Sequence, residues 1–444
     1  MYNNMDKNPI ITVGIGIFEK IIFETKLPNG VQGKLTDEDS TNYFYSGKYC
    51  AFVKDNKIVL ENLSNNEIVI SSNEKISIIS NYTTKIENVE IGIGFHWQRK
   101  ETQEFPGHFL LRKIDNKILL INLVNLEEYI TSVISSEMNG NNSLELLKAH
   151  AVISRSWVMC RKLYPKHTQK PIIEEDKTIT WQDSNSHTLF DVCADDHCQR
   201  YQGITRAYNP NVKKAVEETI GEFLVFDDKI CDARFSKCCG GVGEEFETCW
   251  QDIHYGYLEK YEDLTEEKSL DLTNEVNAEN FIKSSPQAYC NTTDKNVLSK
   301  ILNSYDNEYQ NFFRWKLSYT KQELSEIIKE KSGEDFGEII DLQPLERGVS
   351  GRIKKLKIIG TKKTKIIGKE LEIRRLLSKN HLYSSAFTIE NNSDNFVFVG
   401  AGWGHGVGLC QIGAAVMAEE GKDYKQILSH YYKGAIIKKY YNEL

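Results

Sequence analysis

The chain contains no stretch approaching the roughly 18 consecutive apolar residues that cross a bilayer, so no transmembrane segment is expected. It also lacks any cluster of basic residues interleaved with aromatics that would follow a phosphate backbone. Lys and Arg total 55 against 63 Asp and Glu, a net charge of −8, and nucleic acid is therefore not an expected partner. Internal repeats and low-complexity tracts are missing, as are a G-x-S-x-G nucleophile elbow, an H-E-x-x-H metal helix and a P-loop. The N-terminus, Met1 to Lys7, runs into a strand-like segment without a small-residue cleavage site, so no export signal is read there. Either the protein stays inside the cell or an export segment has been removed from it.

What is present is a globular chain of 444 residues, 40% hydrophobic, long enough for two or three packed lobes at roughly 100 to 200 residues each. Short alternating runs separated by Asn, Asp, Ser and Gly predict strands over Ile10–Phe18, Lys57–Leu60, Glu67–Ser71, Val89–Gly94 and Lys117–Leu123. Helical spacing follows over Leu126–Met138 and Leu144–Leu163, with capping boxes at Asn125/Glu128 and Asn142/Glu145 and a tight polar turn from Asn139 to Asn142. The segment 261–345, rich in Lys, Glu, Asn and Ser, reads as peripheral helices such as Lys321–Lys331. Beyond it come a hairpin over Arg352–Ile359 and Lys362–Ile367, a turn into helix over Gly368–Leu377, a strand at Phe396–Val399, a glycine-rich loop and two helices ending near Tyr432. The expected fold is α+β: β-rich lobes around a two-helix core, closed by a C-terminal helical segment. Four segments are expected: 1–125 as a β-rich lobe, 126–260 with the two helices, 261–345 as an insertion, and 346–444 closing the core.

Glu137 lies at the end of an apolar stripe formed by Leu126, Ile130, Val133 and Ile134. A carboxyl group against apolar surface favours its protonated form and can serve as a general acid; the plain alternative is a terminal Glu that reaches solvent. On the next helix, Lys148 and Arg155 are two turns apart on one face, suited either to positioning Glu137 or polar substrate groups, or to a solvated face. His187, Cys193, His197 and Cys198 supply a Cys₂His₂ donor set for zinc within twelve residues, although successive side chains such as His197 and Cys198 diverge. Three of the four with another group, buried unligated residues, or a Cys193–Cys198 disulfide are the alternatives. Cys238-Cys239-Gly240-Gly241 is either a cleft wall or a tight structural turn, whereas Cys50, Cys160, Cys290 and Cys410 are scattered, as buried small hydrophobes usually are. In Gly400-Ala-Gly402-Trp403-Gly404-His405-Gly406-Val-Gly408, glycines leave the backbone uncrowded around an indole suited to a sugar ring. Their offsets are not those of a dinucleotide fingerprint.

Four motifs in order, Glu137-Met138, Leu146 to Arg155, Cys238-Cys-Gly-Gly and Gly402 to Gly413, resemble stage II sporulation protein D and the related LytB amidase-enhancer proteins. The resemblance runs over about 8–260 and 345–434, with 261–345 the least familiar stretch. It implies a lytic transglycosylase that cuts peptidoglycan glycan strands between N-acetylmuramic acid and N-acetylglucosamine and leaves a 1,6-anhydro end. Glu137 would be acid and then base, with Lys148 and Arg155 at basic positions of the active-site helix. Ser236, Cys238, Cys239, Gly240, Trp403, His405 and Gln411 would bind glycan, and His187, Cys193, His197 and Cys198 would hold a structural zinc. The LytB branch allows another reading, a non-catalytic glycan-binding protein that stimulates a cell-wall amidase, and zinc-activated hydrolysis is a third. Two departures stand out: Ala149-His150-Ala151 where many members read Ala-Gln-Ala, and two cysteines where hydroxyl residues usually precede Gly-Gly. The substrate places the protein in the cell envelope, in tension with the lack of an export signal.

Overall fold

The computed structural model describes residues 9–93, 98–138, 140–164, 170–181, 187–206, 209–264, 270–301 and 311–442. The chain divides into two compact units. The first comprises Met1–Lys162, His187–Phe223 and Lys439–Leu444, and the second Leu163–Ser186 and Leu224–Lys438. The four expected segments thus meet two units, between which the chain passes at 162/163, 186/187, 223/224 and 438/439. The class is the expected one, mixed α+β and rich in strands.

In the first unit a seven-stranded sheet runs in the order Val192–Cys193, Ile10–Phe18, Lys117–Asn125, His108–Ile114, Lys75–Ile79, Gly33–Thr36 and Thr41–Phe44. A six-stranded sheet runs Arg99–Phe105, Thr84–Ile91, Lys20–Thr25, Gly47–Lys54, Lys57–Asn62 and Glu67–Ser72. The hairpin Lys54/Lys57 turns at Asp55 and Asn56, both at positive φ (50° and 61°), the two-residue geometry that matches strand twist and that Asp and Asn tolerate. Lys117–Asn125 is covered on both faces: Ile118, Leu119, Leu120 and Ile121 are all buried. Its last residue, Asn125, pairs with Ile10 and also caps the next helix. That double role fixes where the helix starts.

Helix α1, Leu126–Glu137, begins with the Asn125 side chain accepting the Glu128 N–H, one of the two bonds of the expected capping box. Leu126, Tyr129, Ile130, Val133 and Ile134 are fully buried, each contributing about 1.5–3 kcal/mol of hydrophobic stabilisation. Helix α2, Leu144–Leu163, has the expected bounds but a different cap: the Ser143 hydroxyl accepts the Leu146 N–H at 3.3 Å, one residue beyond the expected Asn142. Asn139 of the connecting turn lies outside the described residues. From Leu146 to Met159 only Lys148 escapes burial, so α2 is the central helix of its unit. A third helix, α3, Pro210–Glu218, starts at an Asn209 cap with Pro at its first position.

The second unit carries a five-stranded sheet in the order Ile172–Ile173, Lys177–Ile179, Thr364–Gly368, Ile353–Gly360, Ile339–Arg347, and a three-stranded one, Arg314–Thr320, Asn395–Ala401, Phe387–Asn391. The expected hairpin is the antiparallel pair Ile353–Gly360 and Thr364–Gly368. The stretch 261–345 is not peripheral throughout. Trp315, Leu324, Ile328, Phe336, Ile339 and Leu342 join Ile353, Leu356, Phe396 and Phe398 in one core cluster, because the Arg314–Thr320 strand pairs with Asn395–Ala401 over seven residues. Part of its Lys- and Glu-rich composition lies on the outer face of the helix Lys321–Ser332.

Candidate functional site

Glu137 is the last residue of α1, and it is half-buried between buried Ser136 and buried Met138. Its Oε1 accepts the main-chain N–H of Arg200 at 2.9 Å. The carboxylate is therefore oriented by a backbone donor and keeps access to solvent, rather than being sealed against apolar surface as the stripe suggested. The Arg200 guanidinium in turn pairs with the Asp196 carboxylate. Burial pushes Asp196 up to about 6, against the lowering influence of Arg200 and with the Glu137 charge adding to the rise. Neither Arg200 nor Asp196 stood out in the sequence; the run Asp196-His-Cys-Gln-Arg200 was available as a charged flank of two candidate ligands.

The two basic residues of α2 go to different tasks. Arg155 is fully buried and grips Glu127 of α1 through two hydrogen bonds, 3.0 Å from Nε and 2.7 Å from Nη2. It also donates to the Glu222 carbonyl at 3.0 Å, and the same Glu127 carboxylate accepts the Tyr441 hydroxyl at 2.6 Å. Arg155 thus locks α2 to α1, with no surface for substrate. Lys148 pairs with Glu145 and with Glu218 of α3 at 2.8 and 2.7 Å. Burial pulls its ammonium pKa down, but the hydrogen bonds to Glu145 and Glu218 outweigh this and hold it above the usual lysine value.

The loop that reaches Glu137 is the one with the metal-type donors. His187 Nε2 and His197 Nδ1 each lie 3.5 Å from Cys198 Sγ, and His197 Nδ1 is 4.0 Å from Cys193 Sγ. All four donor atoms fall within 4.8 Å of one another, so adjacent His197 and Cys198 do converge. None of the ten cysteines is in a disulfide. Shared hydrogen bonding with Cys193 first, then the bonds from His187 and His197, hold the Cys198 thiol well below its ordinary pKa, while the same Cys193–Cys198 hydrogen bond and burial push Cys193 up. Four donors of this kind and spacing fit a tetrahedral zinc ion, whose bonds of about 2.0–2.3 Å put ligand atoms about 3.3–3.8 Å apart. The loop is anchored on both sides: Val192 and Cys193 pair in parallel with Val13 and Gly14, and Asp195 accepts the N–H groups of Gly92 and Ile93 at 3.0 and 2.8 Å. Beyond it, Tyr201 stacks on Tyr129 of α1 at 5.4 Å.

The remaining expected residues belong to the second unit. Cys238 and Cys239 are buried, in a turn where Cys238 bridges Trp403 through the backbone; they are interior residues rather than an open wall. Ser236 is buried too, and its Oγ has no hydrogen-bond partner among the described residues. Gly240, at φ +82°, has its Cα against the Ala401–Gly402 backbone, with 2.9 Å between a would-be Cβ and the Gly402 nitrogen. Trp403 is half-buried, and Tyr383 already covers its ring, stacked at 4.1 Å and 18°. His405 lies edge-on to Trp250 at 4.9 Å and accepts the Val407 N–H at 3.0 Å. Burial, reinforced by the charges of Arg234, Arg352 and Arg374, keeps His405 well below the usual histidine pKa, hence neutral near pH 7. Gln411 is buried at the start of the helix Gln411–Glu419.

Two glycines of this loop, Gly402 and Gly406, make room for a residue that the sequence did not single out. Arg352 is fully buried and donates to the carbonyls of Cys239 and Gly404 and to Ser350 Oγ. Gly402, Gly404, Gly406 and Gly408 all have positive φ, and a Cβ on Gly406 would lie 2.4 Å from Arg352 Cζ. The loop is wrapped around a guanidinium.

Comparison with known proteins places these features. Residues 114–226, which contain α1, α2, Glu137 and the zinc-type loop, match the stage II sporulation protein family. Residues 244–408 match a domain family of unknown function. Across 83% of both chains the protein is 27% identical to an uncharacterized protein of Brachyspira hyodysenteriae. It is 24% identical to stage II sporulation protein D of Bacillus subtilis, over 71% of this chain and 74% of that one. The amidase enhancer of Bacillus subtilis is 25% identical over 70% of this chain, which spans 40% of the enhancer's length. Residues 114–226 are thus a stage II sporulation protein domain, and the chain is a distant homologue of stage II sporulation protein D and the amidase enhancer.

Proposed function

We propose that the protein is a peptidoglycan lytic transglycosylase with Glu137 as its single acid and base. The observation that carries this reading is the placement of Glu137: a half-buried carboxyl group at a helix end, oriented by the Arg200 N–H and accessible to solvent. Glu137 would donate its proton to the glycosidic oxygen between N-acetylmuramic acid and N-acetylglucosamine as the C1–O bond breaks. The 6-hydroxyl of the muramic residue would attack C1 and return its proton to Glu137, closing the 1,6-anhydro ring without consuming water. One carboxyl then suffices where a hydrolytic glycosidase ordinarily uses two.

Lys148 and Arg155 enter as positioning residues, since their hydrogen bonds hold α1, α2 and α3 together. His187, Cys193, His197 and Cys198 would hold zinc, whose part here is structural: four protein donors close a tetrahedral ion and leave no position for an activated water. That favours the one-acid reading over zinc-dependent hydrolysis. The loop so fixed presents the Arg200 N–H to Glu137. The substrate puts the working location in the cell envelope. A second reading rests on the 25% identity to the amidase enhancer: the protein would bind glycan and stimulate a cell-wall amidase without cutting.

The test is mass spectrometry of purified peptidoglycan, intact and amidase-stripped, after incubation with wild type and with Glu137→Gln. Anhydromuramic ends from wild type, reduced at least 10²-fold in the variant, are expected. Glycan capture by both proteins with no products from either would replace the enzyme with the binding protein.

A further inference from the structure

Two cysteines that look scattered along the chain, Cys290 and Cys410, meet the Cys238-Cys239 pair inside the second unit. The sulfurs of Cys239, Cys290 and Cys410 and a carboxylate oxygen of Asp263 all lie within 4.8 Å of one another. Cys239 and Cys290 sulfurs are 3.5 Å apart, and Cys410 Sγ accepts the Cys239 N–H at 3.2 Å. None of the four residues is more than 2% exposed.

A carboxylate in such a place needs compensation. Asp263 accepts the Tyr431 hydroxyl at 2.9 Å and the Cys290 N–H at 3.1 Å, both neutral donors, and His430 Nε2 approaches at 3.4 Å. The chain also makes room for it. A Cβ on Gly413 would lie 2.6 Å from Asp263 Oδ2 and 2.5 Å from the Tyr431 oxygen, and Gly240 and Gly241, at φ +82° and +106°, fold the Cys239 turn inward. Beside the turn, Arg314 donates to the carbonyls of Gly240, Phe313, Ser284 and Phe281, which leaves its charge to act on the thiol cluster.

We propose that Cys239, Cys290, Cys410 and Asp263 form a second, structural zinc site, carried by the second unit and independent of the His187–Cys198 set. Zinc bonds of about 2.3 Å to thiolate and about 2.0–2.2 Å to carboxylate put tetrahedral ligand atoms about 3.5–3.8 Å apart. The observed sulfur spacing therefore asks for little movement, and such close mutual spacing suits one ion. Three S–Zn bonds and one O–Zn bond form, three thiol protons leave to solvent and nothing is oxidised. The resulting set carries a charge of −2, faced by Arg314 and His430. The ion would join four places apart in sequence: the Ser236–Gly241 turn, Asp263, Cys290 and the start of the Gln411–Glu419 helix. A redox pair of Cys239 and Cys290 would instead need an oxidant and would leave Cys410 and Asp263 without a role.

The experiment is zinc stoichiometry of the full chain, purified under reducing conditions with zinc present, by native and inductively coupled plasma mass spectrometry. Wild type should hold two zinc ions, Cys198→Ser one, Cys290→Ser or Asp263→Asn one, and the combined variant none. Zinc-edge X-ray absorption of the Cys198→Ser protein should then report three sulfurs and one oxygen at the bond lengths above. A wild-type protein with a single zinc that Cys198→Ser abolishes would overturn the proposal. So would a Cys239–Cys290 disulfide in peptide maps of that preparation. The wild-type count needs no variant to fold, and none of these readouts depends on glycan cleavage.

Discussion

A carboxyl group is given a chemical role by its donors, and here the contrast between Glu137 and Glu127 on one helix is decisive. Glu127 is sealed and takes hydrogen bonds from Arg155 and Tyr441, whereas Glu137 takes one main-chain N–H and keeps an open side. Only the second can meet a substrate, and exchanging Glu137 for Gln keeps the shape while removing the proton it would move. His381 shows the same logic in stability. Burial, with the nearby charges of Arg374, Lys331 and Arg375, lowers its pKa from 6.5 to about 4. The unfolded chain therefore binds this proton more readily than the folded one between those values, and stability present above pH 6.5 is lost as pH falls toward 4. The loss should approach about 3 kcal/mol at full protonation. Urea unfolding of wild type and His381→Gln across that window should show a steeper pH slope for wild type; equal slopes would refute the assignment.

At the scale of elements, the tie between α1 and α2 is the buried Arg155–Glu127 pair, and Arg155→Leu should be costly because it strands Glu127 without its cation. A loss of about 3–5 kcal/mol is expected, with much of it regained when Glu127→Leu is added. Chemical denaturation of both variants reads this, and equal destabilisation would mean that the pair itself is not what matters. The two helices and the first strand were legible in the sequence with nearly their observed bounds, because Leu126, Ile130 and Val133 repeat at helical spacing and Asn125 announces the cap. Glu137 was legible for the same reason, as the residue at which that stripe ends. What local pattern could not carry were partners distant in the chain. The Arg200 N–H that reaches Glu137 is 63 residues away, and Cys290 is 51 residues from Cys239. The glycine loop reads as room for a ligand, and the Arg352 side chain beside Gly402 and Gly406 comes from some fifty positions earlier and carries no local mark. Composition misled in 261–345, where a charged outer face hid residues that complete a sheet and a core.

On the scale of the whole molecule, the question is how a loop without helix or long strand holds the geometry around Glu137. The loop from His187 to Tyr201 hangs from two bridge pairs with the Ile10–Phe18 strand, the Asp195 contacts and the Tyr201–Tyr129 stack. Between these anchors, His197 and Cys198 would be fixed chiefly by zinc, since thiol and imidazole contacts of 3.5–4.0 Å are weak by themselves. Losing the ion should free the Arg200 N–H from Glu137 while the sheets behind it persist. Cys198→Ser should therefore lose one zinc and about 10–100-fold in glycan cleavage, the usual effect of loosening the support of a site. Hydrogen exchange should rise in peptides covering 187–201 and the last turn of α1, but not in the Lys117–Asn125 strand. The same experiment separates the two metal clusters, because peptides covering Phe235–Gly241 and Leu409–Glu419 should be unaffected by Cys198→Ser and loosened by Cys290→Ser. If Cys198→Ser removed zinc yet left both exchange near Glu137 and cleavage unchanged, the loop would hold its geometry through its protein anchors alone, and zinc would have no part in presenting the acid.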